Sequence, residues 1–189
     1  MDETDAALER AWLRRIADGD HAAFEAFFRA YERRLYRYLV RLLGDDGLAN
    51  EIASDVMVEV WRGAARYHGR SKPSTWVLGI AHNKAVDALR RERRDVFELR
   101  LAEPINAEDD EPARRAIESS TRDEIEAALA TLSPEHRAVL HLTFVLGYPQ
   151  AEIAAIVDCP LGTVKTRVFH AKRALRTALR AAGLQREAS

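Results

Sequence analysis

The chain has a single cysteine, Cys159, among 189 residues, so no disulfide can form within it. Cross-linking is therefore excluded as a source of stability, and the thiol count fits a reducing compartment. No apolar run approaches the roughly 20 residues that span a bilayer. The N-terminal MDETDAALER is acidic and lacks the apolar core of a signal peptide. A cytoplasmic protein without membrane insertion is expected. Prolines number six and glycines nine, and β-branched runs are short. Ala, Leu, Arg and Glu dominate instead, which favours an all-α fold. No glycine-rich phosphate loop, no paired carboxylates in a plausible pocket and no nucleophile beside a base can be read, so no catalytic residue is assigned. His136, His141, Cys159 and His170 lack zinc-ligand spacing. Neither a metal nor a cofactor is expected, and Cys159 reads as a small buried hydrophobe.

The most informative absence is local. No Asp or Glu lies between Gly162 and Arg180, while Lys165, Arg167, His170, Lys172, Arg173, Arg176 and Arg180 do. A solvated helix face usually mixes signs, because opposite charges four residues apart stabilise it. A face of one sign repels itself and asks for a polyanion. The opposite side of the same stretch carries Val164, Val168, Ala171, Leu175 and Leu179. A shorter helix is expected before it, over about Pro149 to Val157, with Ile153, Ala154, Ile156 and Val157 on one face. Asp158 to Gly162 breaks the pattern, since Pro160 disfavours helix at the residue before it. Thr163 is placed to cap or open the second helix. Short helix, tight turn and basic second helix make a helix-turn-helix suited to a DNA major groove. The plainer reading is a helical hairpin whose outer face happens to be basic.

The net charge of −1 hides a segregated distribution. Lys84, Arg90, Arg91, Arg93 and Arg94 form a basic cluster, while Glu103 to Glu126 is rich in acid. The segment AEPINAEDDEP, residues 102–112, reads as an extended acidic linker. Two small helical domains are therefore expected, over residues 6–95 and 121–183, with 96–120 between them.

In the N-terminal unit, Leu8, Trp12, Leu13 and Ile16 suggest a short amphipathic helix, and Asp20 can cap the next one. Phe24, Phe27, Phe28, Tyr31, Leu35, Tyr36, Leu39, Val40 and Leu43 then recur at helical spacing as a broad apolar stripe. A third helix is predicted over about Leu48 to Arg62, with Ile52, Val56, Val60 and Trp61 inward. Glu51, Asp55 and Glu59 repeat every four residues on it, either as a solvated face or as a protein-docking face. His68 to Ser74 is a polar, basic loop with Arg70 and Lys72. Ser74 or Thr75 is placed to cap a helix running to about Arg91. That helix has Trp76, Ile80, Val86 and Leu89 as its main apolar residues. Its polar residues are His82, Asn83, Lys84, Asp87, Arg90 and Arg91. A basic loop beside aromatics and an Asn-bearing helix suits single-stranded nucleic acid. An ordinary capped helix with a basic C-terminus is the alternative. In the C-terminal unit, Ile125, Ala128, Leu129 and Leu132 suggest one buried face. Ser133-Pro134 then marks the start of a further helix.

Two segments together resemble a known family. LSPEHRAVLHLTFVLGYPQAEIAAIVDCPLGTVKTRVFHAKRALRTAL is similar to the C-terminal domain of bacterial extracytoplasmic-function (ECF) sigma factors, through Leu132 to Pro134, Glu152 to Ala154 and Gly162 to Arg167. LANEIASDVMVEVWRGAARYHGRSKPSTWVLGIAHNKAVDALRRERR resembles the family's N-terminal core domain. The marks are Trp61, Thr75-Trp76, Ile80 to Asn83, Asp87 and Arg90 to Arg94. The resemblance implies a transcription initiation factor with core RNA polymerase and promoter DNA as partners, and an anti-sigma factor as a further family expectation. It implies polymerase docking through Glu51, Ser54, Asp55 and Glu59. Glu51 and Ser54 depart from the Asp and Gln usual there. It implies minus-ten recognition as a melted strand through His68, Arg70, Lys72, Trp76, Asn83, Lys84, Arg90 and Arg91, with Asn83 beside a captured base. Duplex minus-thirty-five recognition falls to Lys165, Thr166, Arg167, Phe169, His170, Lys172 and Arg173, with His170 where Arg is common. Two rival readings stay open: a stand-alone helix-turn-helix regulator whose first half senses a ligand or dimerises, and an enzyme with an appended DNA-binding domain.

Overall fold

The protein is described here from a computed structural model, over residues 3–102 and 121–181. Residues 103–120, which carry most of the expected acidic linker, lie outside that range. Among the described residues there are eight α-helices and no strand. They are α1 (Glu3–Ala17), α2 (His21–Leu43), α3 (Asp46–Gly63), α4 (Pro73–Ala102), α5 (Thr121–Ala130), α6 (Pro134–Leu140), α7 (Gln150–Ile156) and α8 (Leu161–Ala181). A 3₁₀ turn at Ala64–Arg66 follows α3, and a π turn at His141–Val145 continues α6.

Local chemistry sets most of the ends. The Asp20 side chain accepts from Ala23 N–H and opens α2, and Gly44 closes it in the left-handed region at φ 79°. Asp45 caps α3 by accepting from Leu48 N–H at 2.7 Å. Ser133 caps α6, with Pro134 in its first turn, as the sequence suggests. Pro149 occupies the cap position of α7 rather than its first turn. In the turn before α8, Asp158 is left-handed at φ 46°. Its short polar side chain tolerates that conformation better than most.

Several expectations need correcting. The helix expected to stop near Arg91 runs on to Ala102. Ser74 and Thr75 do not cap it: α4 begins at Pro73, and both side chains are buried in its first turn. Thr163 likewise lies inside α8, which starts at Leu161 directly after Pro160. The buried stripes are also rotated. On α2 the fully buried residues include Tyr38 and Leu42, whereas Phe24, Phe28, Tyr36, Val40 and Leu43 are only partly covered. On α4 the core residues are Val77, Leu78, Ala81 and Ala85, while Trp76 and Ile80 sit at the edge. His82 is buried rather than outward, and Leu8 and Ile125 are exposed.

The core is one continuous apolar cluster from Leu13 to Ala171. Helices α1 to α4 form one bundle around Phe27, Tyr31, Leu35, Leu39, Val56 and Leu78. Helices α5 to α8 form a smaller one around Val139, Leu142, Ile153, Ile156 and Val164. The two pack directly on each other, α2 against α6 and α4 against α7. The smaller bundle has a modest core of its own, and burial against α2 and α4 adds apolar area it could not bury alone.

Candidate nucleic-acid interface

Helix α8 is amphipathic with a sharp division. Val164, Val168 and Ala171 are buried against α6 and α7, and Leu175 is partly covered. Lys165, Thr166, Phe169, His170, Lys172, Arg173, Arg176 and Arg180 are exposed. Phe169 is 64% exposed, a large aromatic ring on an otherwise polar face. Lys172 Nζ lies 5.6 Å from the centroid of the Phe144 ring, itself exposed, in cation–π geometry. Thr166 Oγ1 donates back to Gly162 C=O at 3.1 Å, so its hydroxyl hydrogen is engaged within the helix. Arg167 stands apart. It is half-buried, and a guanidinium N–H points at Cys159 Sγ at 3.9 Å. Cys159 is only half-buried, a correction to the buried reading.

The second basic region lies around the start of α4. His68 and Arg70 are exposed in the loop. Lys72 is drawn in: its Nζ is 2.7 Å from Glu152 Oε1, on the first helix of the helix-turn-helix. Thr75 Oγ1 donates to the other carboxylate oxygen, Glu152 Oε2, at 3.0 Å. The Trp76 ring packs against Tyr67, with centroids 5.2 Å apart. It also covers Gly63, where an added Cβ would come within 3.3 Å of the indole. Asn83 is exposed. Lys84 Nζ is 3.7 Å from Asp55 Oδ2, so one residue of the expected DNA set faces one of the expected docking set. Arg90 pairs loosely with Asp87 at 3.7 Å, and Arg91 and Arg94 are exposed.

Along α3, Glu51, Ser54 and Asp55 are exposed, and Glu59 is half-buried with Arg66 at 3.5 Å. Ser54 Oγ donates to Asn50 C=O at 3.0 Å. Val58, 46% exposed, adds an apolar residue to this acidic helix.

Sequence reasoning missed the seam between the two bundles. Tyr38 is fully buried, and its hydroxyl is 2.8 Å from His82 Nδ1. Its ring also packs against His141 of the smaller bundle, with centroids 6.0 Å apart. Burial pushes both imidazoles down to about 4. The positive charge of Arg167 adds to the effect at His82, and Arg41 and Arg37 add to it at His141. His141 Nε2 is buried without a hydrogen-bonding partner among the described residues. Arg41 pairs with Glu126 at 2.6 Å, and Arg137 donates to Leu42 C=O at 2.9 Å, further along the same seam. Nothing in a one-dimensional pattern marks these contacts, because each joins residues 44 to 103 positions apart: Tyr38 to His82 at one extreme and to His141 at the other.

A helix-turn-helix with a cationic outer face defines a DNA-binding protein, and a whole second helical bundle with its own basic loop exceeds what duplex binding alone requires. Family comparison resolves the class. Sigma-70 region 2 matches residues 27–95, and sigma-70 region 4 matches residues 122–175. The chain is 31% identical over 172 residues to the ECF RNA polymerase sigma factor SigK of Mycobacterium tuberculosis, covering 89% of this chain and 92% of that protein. It is 32% identical over 159 residues to SigC of the same organism, covering 84% of each. Among solved structures, the sigma factor RpoE in complex with the anti-sigma factor NepR, from Bartonella quintana, superposes with a TM-score of 0.67. Its identity is 23%, over 83% of this chain and 96% of that one. CnrH in complex with the cytosolic domain of CnrY gives 0.66 at 19% identity, over 92% and 98%. The chain belongs to the ECF sigma factors. It is a transcription factor that binds core RNA polymerase and directs initiation at promoters. The stand-alone regulator is thereby set aside as a class. Among the described residues, no helix is long and apolar enough to cross a membrane.

Proposed function

We propose that the residues of this sigma factor divide promoter recognition between the two bundles, taken as residues 6–95 and 121–183. The observation that carries this reading is the exposed, acid-free face of α8. Lys165 and Thr166 lie near the N-terminus of that helix, where base edges and phosphates are reached first. Phe169 and His170 follow one turn later, and Lys172 and Arg173 hold the backbone. Arg167 completes the minus-thirty-five set. The minus-ten set is His68, Arg70, Lys72, Trp76, Asn83, Lys84, Arg90 and Arg91. Within it, the exposed Asn83 amide offers both a donor and an acceptor to an unstacked base. Glu51, Ser54, Asp55 and Glu59 on α3 dock on the polymerase. The protein carries out no chemistry of its own and works in the cytoplasm. The solved relatives held by NepR and by CnrY motivate an anti-sigma partner here too.

The test is run-off transcription with purified core polymerase on a promoter library. Specific transcripts are expected, lost on Asn83→Ala or Arg167→Ala. Core binding with unchanged transcripts from both variants would remove these residue roles.

A further inference from the structure

The chain from Ala138 to Leu142 is buried at every position. On an α-helix, residues three and four further on lie over the same side. Phe144 follows Leu140 by four residues and His141 by three. Val145 follows His141 by four and Leu142 by three. A regular continuation of α6 therefore turns both side chains towards the core. The π turn prevents this. Leu146 N–H reaches back five residues to His141 C=O at 3.0 Å, which puts one extra residue into the turn and rotates what precedes it outward. Phe144 is left 60% exposed and Val145 64% exposed. Apolar area that α-helical geometry would bury stays in water, which opposes folding. Turns of this kind are rare and concentrate where function requires them.

The ring so displaced has a partner. Lys172 Nζ, from the exposed side of α8, lies 5.6 Å from the Phe144 centroid. Lys172 forms no salt bridge among the described residues. A free lysine carries a long flexible stem, and fixing it on one phosphate costs rotamer freedom. Contact with the negative face of an aromatic ring limits that freedom in advance. The ring takes up one side of the ammonium, and its three N–H donors are not consumed by any acceptor of the chain. Unlike a carboxylate, the ring does not cancel the charge that a phosphate would meet.

We propose that Phe144 is a positioning residue for minus-thirty-five binding: the π turn sets its ring beside α8, where it holds the Lys172 ammonium ready for one phosphate of the DNA backbone. The inference rests on the assignment of Lys172 to that backbone. Phe144 lies outside the helix that carries all the other residues of the set, and it contributes through Lys172 rather than by touching a base.

The test uses holoenzyme reconstituted from core polymerase and the full chain. Its affinity for a promoter duplex is measured over a series of salt concentrations. Phe144→Leu and Phe144→Tyr are made in the wild-type and the Lys172→Ala backgrounds. Phe144→Leu keeps an apolar side chain at an exposed position and removes the aromatic face. It is expected to weaken binding about two- to fivefold, and Phe144→Tyr, which keeps the ring, is expected to restore it. In the Lys172→Ala background neither substitution should change the affinity, because the residue through which the ring acts is gone. An equal loss in both backgrounds, or no loss in either, overturns the proposal. So does a loss of core binding by Phe144→Leu, which would make the ring a polymerase contact instead. Lys172→Ala without effect on affinity or on salt dependence removes the backbone assignment itself, and that failure is distinguishable because it appears before Phe144 is touched.

Discussion

The helices α4 and α8 both carry basic residues of the proposed promoter-reading surfaces, yet their first turns stand in opposite surroundings. In α8, Leu161 and Gly162 are exposed, and Lys165 and Thr166 face outward. In α4, Pro73, Ser74 and Thr75 are buried, and the preceding Lys72 is bound by a carboxylate from the other bundle. Of the two proposed reading surfaces, that of α8 is open in its first turn, while that of α4 is covered only at its start, with His68, Arg70 and Asn83 still exposed. The difference comes from what packs on each helix. α8 buries one side against its own bundle, whereas α4 lies between its own bundle and α7.

The largest way to break this comparison is to destroy the platform of α8. Val164→Asp places a charge at a position with no exposure. It is expected to cost more than about 4 kcal/mol and to unfold the smaller bundle. The neighbouring Lys165→Asp should leave the thermal melting curve in place and abolish minus-thirty-five binding. Circular dichroism melts beside a gel-shift assay check the pair.

Acid should act on α4 more than on α8. His82 and His141 have folded values near 4 against an ordinary 6.5, so the unfolded or separated chain binds protons that the packed chain does not. The stability they lend is full above pH 6.5 and falls away as pH drops from 6.5 towards 4. The loss reaches about 3 kcal/mol per histidine at that limit. Denaturant titrations from pH 7.5 to 4.5 should show this loss, and His141→Phe should flatten its half of it. A neutral Tyr38→Phe substitution removes the hydrogen bond to His82 and is expected to cost about 1–3 kcal/mol at pH 7.

Smaller effects sharpen the other side. Lys172→Ala and Arg173→Ala should each lower the salt dependence of duplex binding by about 0.9 in the log–log slope. Asn83→Ala, at an exposed position, should change stability by less than about 0.5 kcal/mol while reducing initiation. A large destabilisation would recast Asn83 as structural.

The all-α class, the caps at Asp20 and Ser133 and the basic face of α8 were legible because each is written in a few neighbouring residues. The periodicity of one helix suffices for them. The burial of α4 was not, since its core side is built from Val77, Leu78, Ala81 and Ala85. Two alanines count for little in a hydrophobic pattern, and Trp76 and Ile80 drew the stripe to the wrong side. His82 reads as polar from sequence, and only Tyr38, 44 residues earlier, makes it a buried partner. Glu152 lay within a quoted family motif, but its role at Lys72 depends on how the bundles meet.

The uninterrupted course of α4 has a consequence for promoter architecture. Thirty residues without a break form a rod about 45 Å long. Asn83 and Arg94 lie eleven residues apart on it, about 16 Å, which is the rise of about five base pairs. If the first holds a flipped base and the second a duplex phosphate, the helix works as a gauge that measures the distance from the melted position to intact duplex. Inserting one residue between them would turn the downstream arginines by about 100°. The start of melting on each promoter is then dictated by protein length rather than by local DNA stability.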